Sequence, residues 1–224
     1  MEVHFSFDMG GVEIELHRLA AKIYSPVRNR RFRHWVVEEL EHSGARRSLQ
    51  LGDTEVVLPS YEFDALFVFY HAWHHYLTGG IGLRQLCDWA MIFHSHSADI
   101  DREQLTANLR RFGLTNGWKL FACIAVGYLG VPADRMPLYD PSFVRKSEIV
   151  LAEILAGGNF GENTKIRAGV KGRVAGWKYG FFQLRSSARN FVFLFPLIPA
   201  EATFLLFNRL VFGTFSWARR SLTR

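Results

Sequence analysis

The sequence is short of the features that would place it outside an ordinary globular class. Only two of its 224 residues are cysteines, Cys87 and Cys123. They stand on separate expected helices, with neither metal-ligand spacing nor a disulfide framework, so a reducing compartment such as the cytoplasm is the simpler expectation. The opening MEVHFSFDMGG lacks the basic start and apolar run of a secretory leader. A membrane span needs about 20 uninterrupted apolar residues, whereas FVFLFPLIPAEATFLLFNRLVF is broken by Pro196, Pro199, Glu201 and Arg209. No internal repeat is present, which argues against a solenoid, and there is no low-complexity run.

What is present suits a buried core: 49% of the residues are hydrophobic and 21% charged. The net charge of +6 is unevenly spread. From Lys165 onward Lys171, Arg173, Lys178, Arg185, Arg189, Arg209, Arg219, Arg220 and Arg224 face essentially only Glu201. Aromatic residues such as Phe181, Phe191, Phe195, Phe207 and Trp217 interleave with them. Amphipathic helices that touch either the core or an anionic membrane surface or polyanion would read this way. The tail contains no specific nucleic-acid reader motif, and scattered charge on aromatic helices is usually a solvated face.

Residues 3–17 alternate around Asp8-Met9-Gly10-Gly11, which predicts two antiparallel strands. Pairing Phe7 with Val12 puts Val3, Phe5, Ile14 and Leu16 on one face. His4, Ser6, Glu13, Glu15 and His17 take the other, with Glu15 opposite His4. Helical periodicity follows around 18–23 and over 31–41, where Phe32, Trp35, Val36 and Leu40 form one stripe. A second hairpin is expected over 48–58, turning at Gly52-Asp53. Beyond Pro59 the pattern is helical: Ser60 suits an N-cap, with Glu62 and Asp64 in the first turn. Helices are expected at 61–77, 83–94, 102–112, 116–129 and 143–155, and in segments after Lys165. Gly79-Gly80, Gly113, Gly130 and Gly157-Gly158 act as stops. The fold class is therefore α+β, mainly α, with a small β-hairpin region over 1–59 and a helical domain over 60–224.

Four constellations could carry chemistry. Glu13 and Glu15 share one side of a strand, as metal-binding carboxylates must, or they are the solvated side of an amphipathic hairpin. His71 lies three residues before His74 and four before His75, the helical spacing that zinc helices also use. A third ligand could come from His94, His96 or Asp88, but no glutamate sits in the zincin position. Helix packing beside Tyr70, Trp73 and Tyr76 is the plainer reading. Next, Gly80-Ile81-Gly82 opens a helix whose free N–H groups favour an anion, with Arg84 in its first turns. Arg84 could grip a phosphate or pair with Asp88 four residues on. Finally, Gly157-Gly158-Asn159-Phe160-Gly161 is either a phosphate-binding turn or a helix stop.

The segment 71–90, HAWHHYLTGGIGLRQLCDWA, resembles the H-x-x-HH … GIGLRQLCDWA signature of the uncharacterised nucleotidyltransferase family, a branch of the polymerase-beta-like nucleotidyltransferase superfamily. GVEIELH, GGNFG and PAEATFLLFNRL are similar to other elements of that family, so the likeness runs from Phe5 to about Leu210. The resemblance implies magnesium-dependent transfer of a nucleotidyl group from a nucleoside triphosphate to a hydroxyl on an unknown acceptor. Glu15 stands where the superfamily carries its third metal-binding carboxylate, which makes it the catalytic and Mg-ligating candidate. Arg84, Asp88, His71 and His75 become the nucleotide-binding candidates. The first two acids of the superfamily follow a Gly-Ser turn in an Asp-x-Asp strand, and no such element is found. Asp99-Ile100-Asp101, the only Asp-x-Asp, precedes a helical REQLTANL and reads as its cap. The expectation is thus the C-terminal portion of a nucleotidyltransferase, with residues 1–59 a remnant of the catalytic fold, inactive alone. The alternative is a non-catalytic helical module that binds a nucleotide, a partner or a membrane surface.

Overall fold

A computed structural model describes residues 4–17, 23–41, 47–78, 80–157, 191–192, 194–196, 198–199 and 201–208. Its contacts divide the chain into two units, Met1–Ser60 and Tyr61–Arg224. Among the described residues, β structure is limited to two antiparallel two-stranded sheets and helices dominate, an α+β, mainly α architecture.

In the first unit, β1 (His4–Met9) pairs with β2 (Val12–His17). The expected register is corrected: Met9, not Phe7, stands opposite Val12, and Glu15 faces Ser6 rather than His4. The cause lies in the turn. Gly10 and Gly11 both take positive φ, 64° and 84°, so they close a two-residue turn that most side chains resist. Asp8 Oδ1 accepts the Gly11 N–H at 3.1 Å and fastens it. The slip is by an even number of residues, so Ser6 and Glu13 keep the face opposite to that of Phe7 and Ile14.

Helix α1 (Pro26–Glu41) starts earlier than the periodicity suggested, with proline at its first position. The region 18–22 lies outside the described residues, and Ile23 is buried but not helical. Phe32, Trp35 and Val36 are buried as expected, but Leu40 is 48% exposed and Glu39 takes the inner position at 9%. Glu39 is held there by two donors: Trp35 Nε1 at 3.2 Å and the Ser60 hydroxyl at 3.3 Å. A buried carboxylate with such partners loses less on leaving water. The second hairpin, β3 (Arg47–Leu51) and β4 (Thr54–Leu58), turns at Gly52-Asp53 with Leu51 opposite Thr54. Gly52 carries a positive φ of 59°.

The second unit holds α2 (Tyr61–Thr78), α3 (Leu83–His96), α4 (Arg102–Phe112), α5 (Thr115–Tyr128) and α6 (Val144–Gly157). A 3₁₀ turn, Pro141–Phe143, leads into α6. Helix α2 packs on α3 and α4, while α5 meets α3, α4 and α6. Their core is aromatic. Phe69, Trp73, Trp89, Phe93, Trp118 and Phe121 are all essentially inaccessible. Trp118 meets Trp89 edge-on at 4.8 Å and Phe69 at 5.0 Å, geometries that the ring quadrupoles favour. Both indoles satisfy their N–H groups, Trp89 on the Ala65 carbonyl at 3.0 Å and Trp118 on that of Pro137 at 2.7 Å.

Local chemistry sets the helix boundaries. Asp101 caps α4 by accepting the N–H groups of Glu103 and Gln104, so the Asp-x-Asp is a capping element as expected. Glu62 is buried and accepts the Asp101 N–H, which ties the start of α2 to the start of α4. Gly113, left-handed at φ 72°, donates to Arg110 and Leu109 carbonyls and ends α4. In the closing segment Leu194, Ile198, Ala202 and Leu205 are buried while Phe195 and Phe207 are exposed. Among the described residues no helix is long and apolar enough to cross a membrane. The cationic positions from Lys165 to Arg189, those from Arg209 onward, and residues 158–161 of the GGNFG element lie outside the described residues.

Candidate functional site

The 71–90 segment forms the C-terminal half of α2, the Gly80–Gly82 connection and the first half of α3. It divides cleanly by polarity. Ala72, Trp73, Leu77, Ile81, Leu86, Trp89 and Ala90 are core, whereas His71, Arg84, Cys87 and Asp88 are exposed. The helical period explains this, since residues 84, 87 and 88 fall together on the face of α3 opposite Leu86, Trp89 and Ala90. The Gly80 N–H bonds the His75 carbonyl at 2.8 Å, and Gly80 adopts φ 88°. This left-handed residue turns the chain sharply at the end of α2.

Gly82 then starts α3 in an extended conformation, and the Gln85 side chain accepts its N–H at 3.1 Å. Gly82 itself offers no side-chain cap to the N–H groups of the first turn. The positive end of the helix is thus presented beside the exposed Arg84. Arg84 and Asp88, expected either to pair or to meet a ligand, form no ion pair with each other among the described residues.

The histidines are brought together along α2. The His71 and His75 rings meet edge-on with centroids 4.5 Å apart, and His74 lies 6.0 Å from His75. Two of the three further ligands weighed for zinc, His94 and His96, are engaged elsewhere. His94 Nε2 lies 3.3 Å from the Leu129 carbonyl; His96 stacks on Tyr61 at 4.2 Å with Nδ1 3.2 Å from Asp99. Among the described residues no three His, Cys, Asp or Glu side chains are grouped to hold a metal ion. Glu15 has its backbone in β2, but its side chain is outside the described residues. The described residues therefore do not by themselves fit a two-ion magnesium centre.

Sequence reasoning missed a polar strap on the other side of α5. Lys119 Nζ donates to Asp140 Oδ2 at 2.8 Å, and the Cys123 thiol donates to the Asp140 carbonyl at 3.1 Å. Burial pushes the Cys123 thiol up, away from nucleophilic duty. Nearby, burial first and Glu153 second push the Tyr76 phenol well up, so it stays a donor to Glu153 at 3.3 Å. The sequence signal for the strap was weak, since positions 119 and 140 are 21 residues apart, across the rest of α5 and a loop.

Hydrogen bonds from Lys119 and then Ser142 hold the Asp140 carboxyl at about 2, below its ordinary 3.8. A depressed carboxyl stabilises the fold above its unfolded pKa, and that contribution disappears as pH falls through the folded value. Wild-type protein should therefore lose stability relative to Asp140→Asn between pH 3.8 and about 2, the two unfolding midpoints converging. Chemical denaturation across that window checks it; parallel curves would remove Asp140 from the pH response.

No curated protein and no solved structure matches this chain. A family model described as uncharacterised nucleotidyltransferase matches residues 2–130, from the first hairpin through α5. That match covers more than half of the sequence and contains the whole 71–90 segment, and the chain belongs to the uncharacterised nucleotidyltransferase family.

Proposed function

We propose that this protein takes part in nucleotidyl transfer from a nucleoside triphosphate to a hydroxyl on an acceptor, and that the start of α3 grips the triphosphate. The observation that carries the reading is the exposed Arg84 beside the first turn of α3, where Gly82 offers no side-chain cap, inside the family-matched segment. Backbone N–H groups and a guanidinium both favour phosphate oxygens, and the guanidinium does so bidentately. His71 and His75, one helix earlier, would contribute donors, and Asp88 would orient Arg84 or a ribose hydroxyl. Glu15 would serve as one magnesium ligand of three, so transfer would require a Gly-Ser turn and an Asp-x-Asp strand alongside this chain. Two free cysteines suit a reducing, cytoplasmic setting.

Calorimetric titration of the chain with ATP, GTP, CTP and UTP tests the binding step. A charge-assisted hydrogen bond contributes about 1.5–3 kcal/mol, so Arg84→Ala should weaken the preferred nucleotide by roughly 10- to 100-fold. Unchanged affinity for all four would overturn the assignment. Tight binding without transfer, even with the missing carboxylates supplied, would instead indicate a binding module.

A further inference from the structure

Helix α1 carries its charge backwards. Its first half contains Arg28, Arg30, Arg31 and Arg33, its second half Glu38, Glu39 and Glu41, with no acid in the first turn and no base in the last. Cations are disfavoured at the positive end of a helix and acids at the negative end, so both ends oppose the macrodipole. Nor do helical neighbours relieve the arginines. Positions three and four residues on from Arg30, Arg31 and Arg33 hold arginine, histidine, tryptophan or valine, never an acid. His34 is the residue that lies near Glu38, at 3.7 Å.

Arg30, Arg31 and Arg33 are all exposed, and no carboxylate pairs with them among the described residues. Helix propensity does not explain them, because glutamate is a comparable helix former. Among the described residues Arg30, Arg31 and Arg33 gain no ion pair from folding; an external anion would supply one. With 100° per residue, Arg31 and Arg33 flank Arg30 and spread over about 160° of the outer surface. Along the axis Arg30 to Arg33 extend about 4.5 Å, while Arg28 falls on the side of the buried Phe32 and Trp35. One small anion cannot touch so wide a set, whereas a chain of phosphates can.

We infer that the arginine face of α1 docks the phosphate backbone of a nucleic acid. A lipid surface fits less well. Interfacial helices insert large apolar side chains, but Phe32, Trp35 and Val36 are buried within the protein, and the exposed apolar residues of α1 are Val27, Val37 and Leu40. The use of arginine alone also matches planar, bidentate phosphate recognition. Binding of this kind would be insensitive to base sequence and strongly dependent on salt. The inference does not depend on nucleotide binding at α3.

The test uses the full chain and fluorescence anisotropy of a labelled single-stranded RNA and the matching single-stranded DNA. Combined Arg30→Glu, Arg31→Glu and Arg33→Glu should weaken binding by about tenfold or more and make the log–log salt dependence shallower by about two units. The thermal midpoint should hold, since all three side chains are exposed. The corresponding glutamine variant should lose affinity as well, which separates charge from misfolding. Lys171→Glu with Arg173→Glu controls for the cationic tail, and the α1 effect should persist in that background. Unchanged nucleic-acid affinity after charge reversal would overturn the inference. So would complete competition by millimolar inorganic phosphate, or a loss confined to phosphatidylserine vesicles.

Discussion

Trp118→Ala is expected to destabilise the helical unit by about 3–5 kcal/mol, the range for removing a large aromatic side chain from a close-packed core. Trp118 is fully buried, and its ring contacts Phe69, Trp89 and Phe93 with centroids 5.0, 4.8 and 5.8 Å away. Those neighbours come from α2 and α3, which cannot collapse onto the void without breaking their own packing. Truncation also strips the Pro137 carbonyl of its indole donor, an extra loss for a buried acceptor. Such a sum is a large share of the 5–15 kcal/mol that typically separates folded from unfolded domains. Urea denaturation should show a much lower midpoint than for Met91→Ala, a change at an exposed position of α3. Equal midpoints for the two variants would mean that the aromatic cluster is not the structural centre.

Replacing Gly117 by alanine should also destabilise, against the usual rule for helices. In an exposed helix interior the change gains about 1 kcal/mol. Here a Cβ would stand 2.7 Å from Cε2 and Cζ2 of the Trp73 indole and 3.1 Å from its Cδ2. The indole has little room to yield, being 1% exposed and enclosed by Phe69, Phe121 and Tyr76. Overpacking of this kind costs about 1–3 kcal/mol, more than the propensity gain in most of that range. Trp73 lies between His71 and His75 on α2, so its displacement would reach the candidate nucleotide site as well. A raised thermal midpoint for Gly117→Ala would show that the ring moves aside at little cost.

Much of the chain was legible because local rules and tertiary packing agree. The 102–112 helix was placed at its observed limits because Asp101 and Gly113 are strong start and stop signals. The second hairpin followed from Gly52-Asp53. The first hairpin misled by two residues because Asp8, Met9, Gly10 and Gly11 all tolerate a loop; the two consecutive positive φ angles settle the shorter turn. Leu40 and Glu39 exchanged their expected roles because hydrophobic periodicity does not record that Trp35 and Ser60 have donors to satisfy.

At the candidate site, the sequence alone supplied the unusual grouping of His71, His75, Arg84 and Asp88 and its family likeness. Helical spacing was enough to predict the His71–His75 contact. Helical period sorts the segment into two faces, and the tertiary structure decided which of them is buried, with Trp73 and Trp89 inward and Arg84 and Asp88 outward. The tertiary structure alone also decided the tie from Glu62 to the Asp101 N–H and the joining of Lys119 and Cys123 to Asp140. The physical reason is range. Period, turn and cap act within a few residues and are written in order along the chain. A buried partner 20 or 40 positions away is chosen by which helices pack together, and no local pattern encodes that choice.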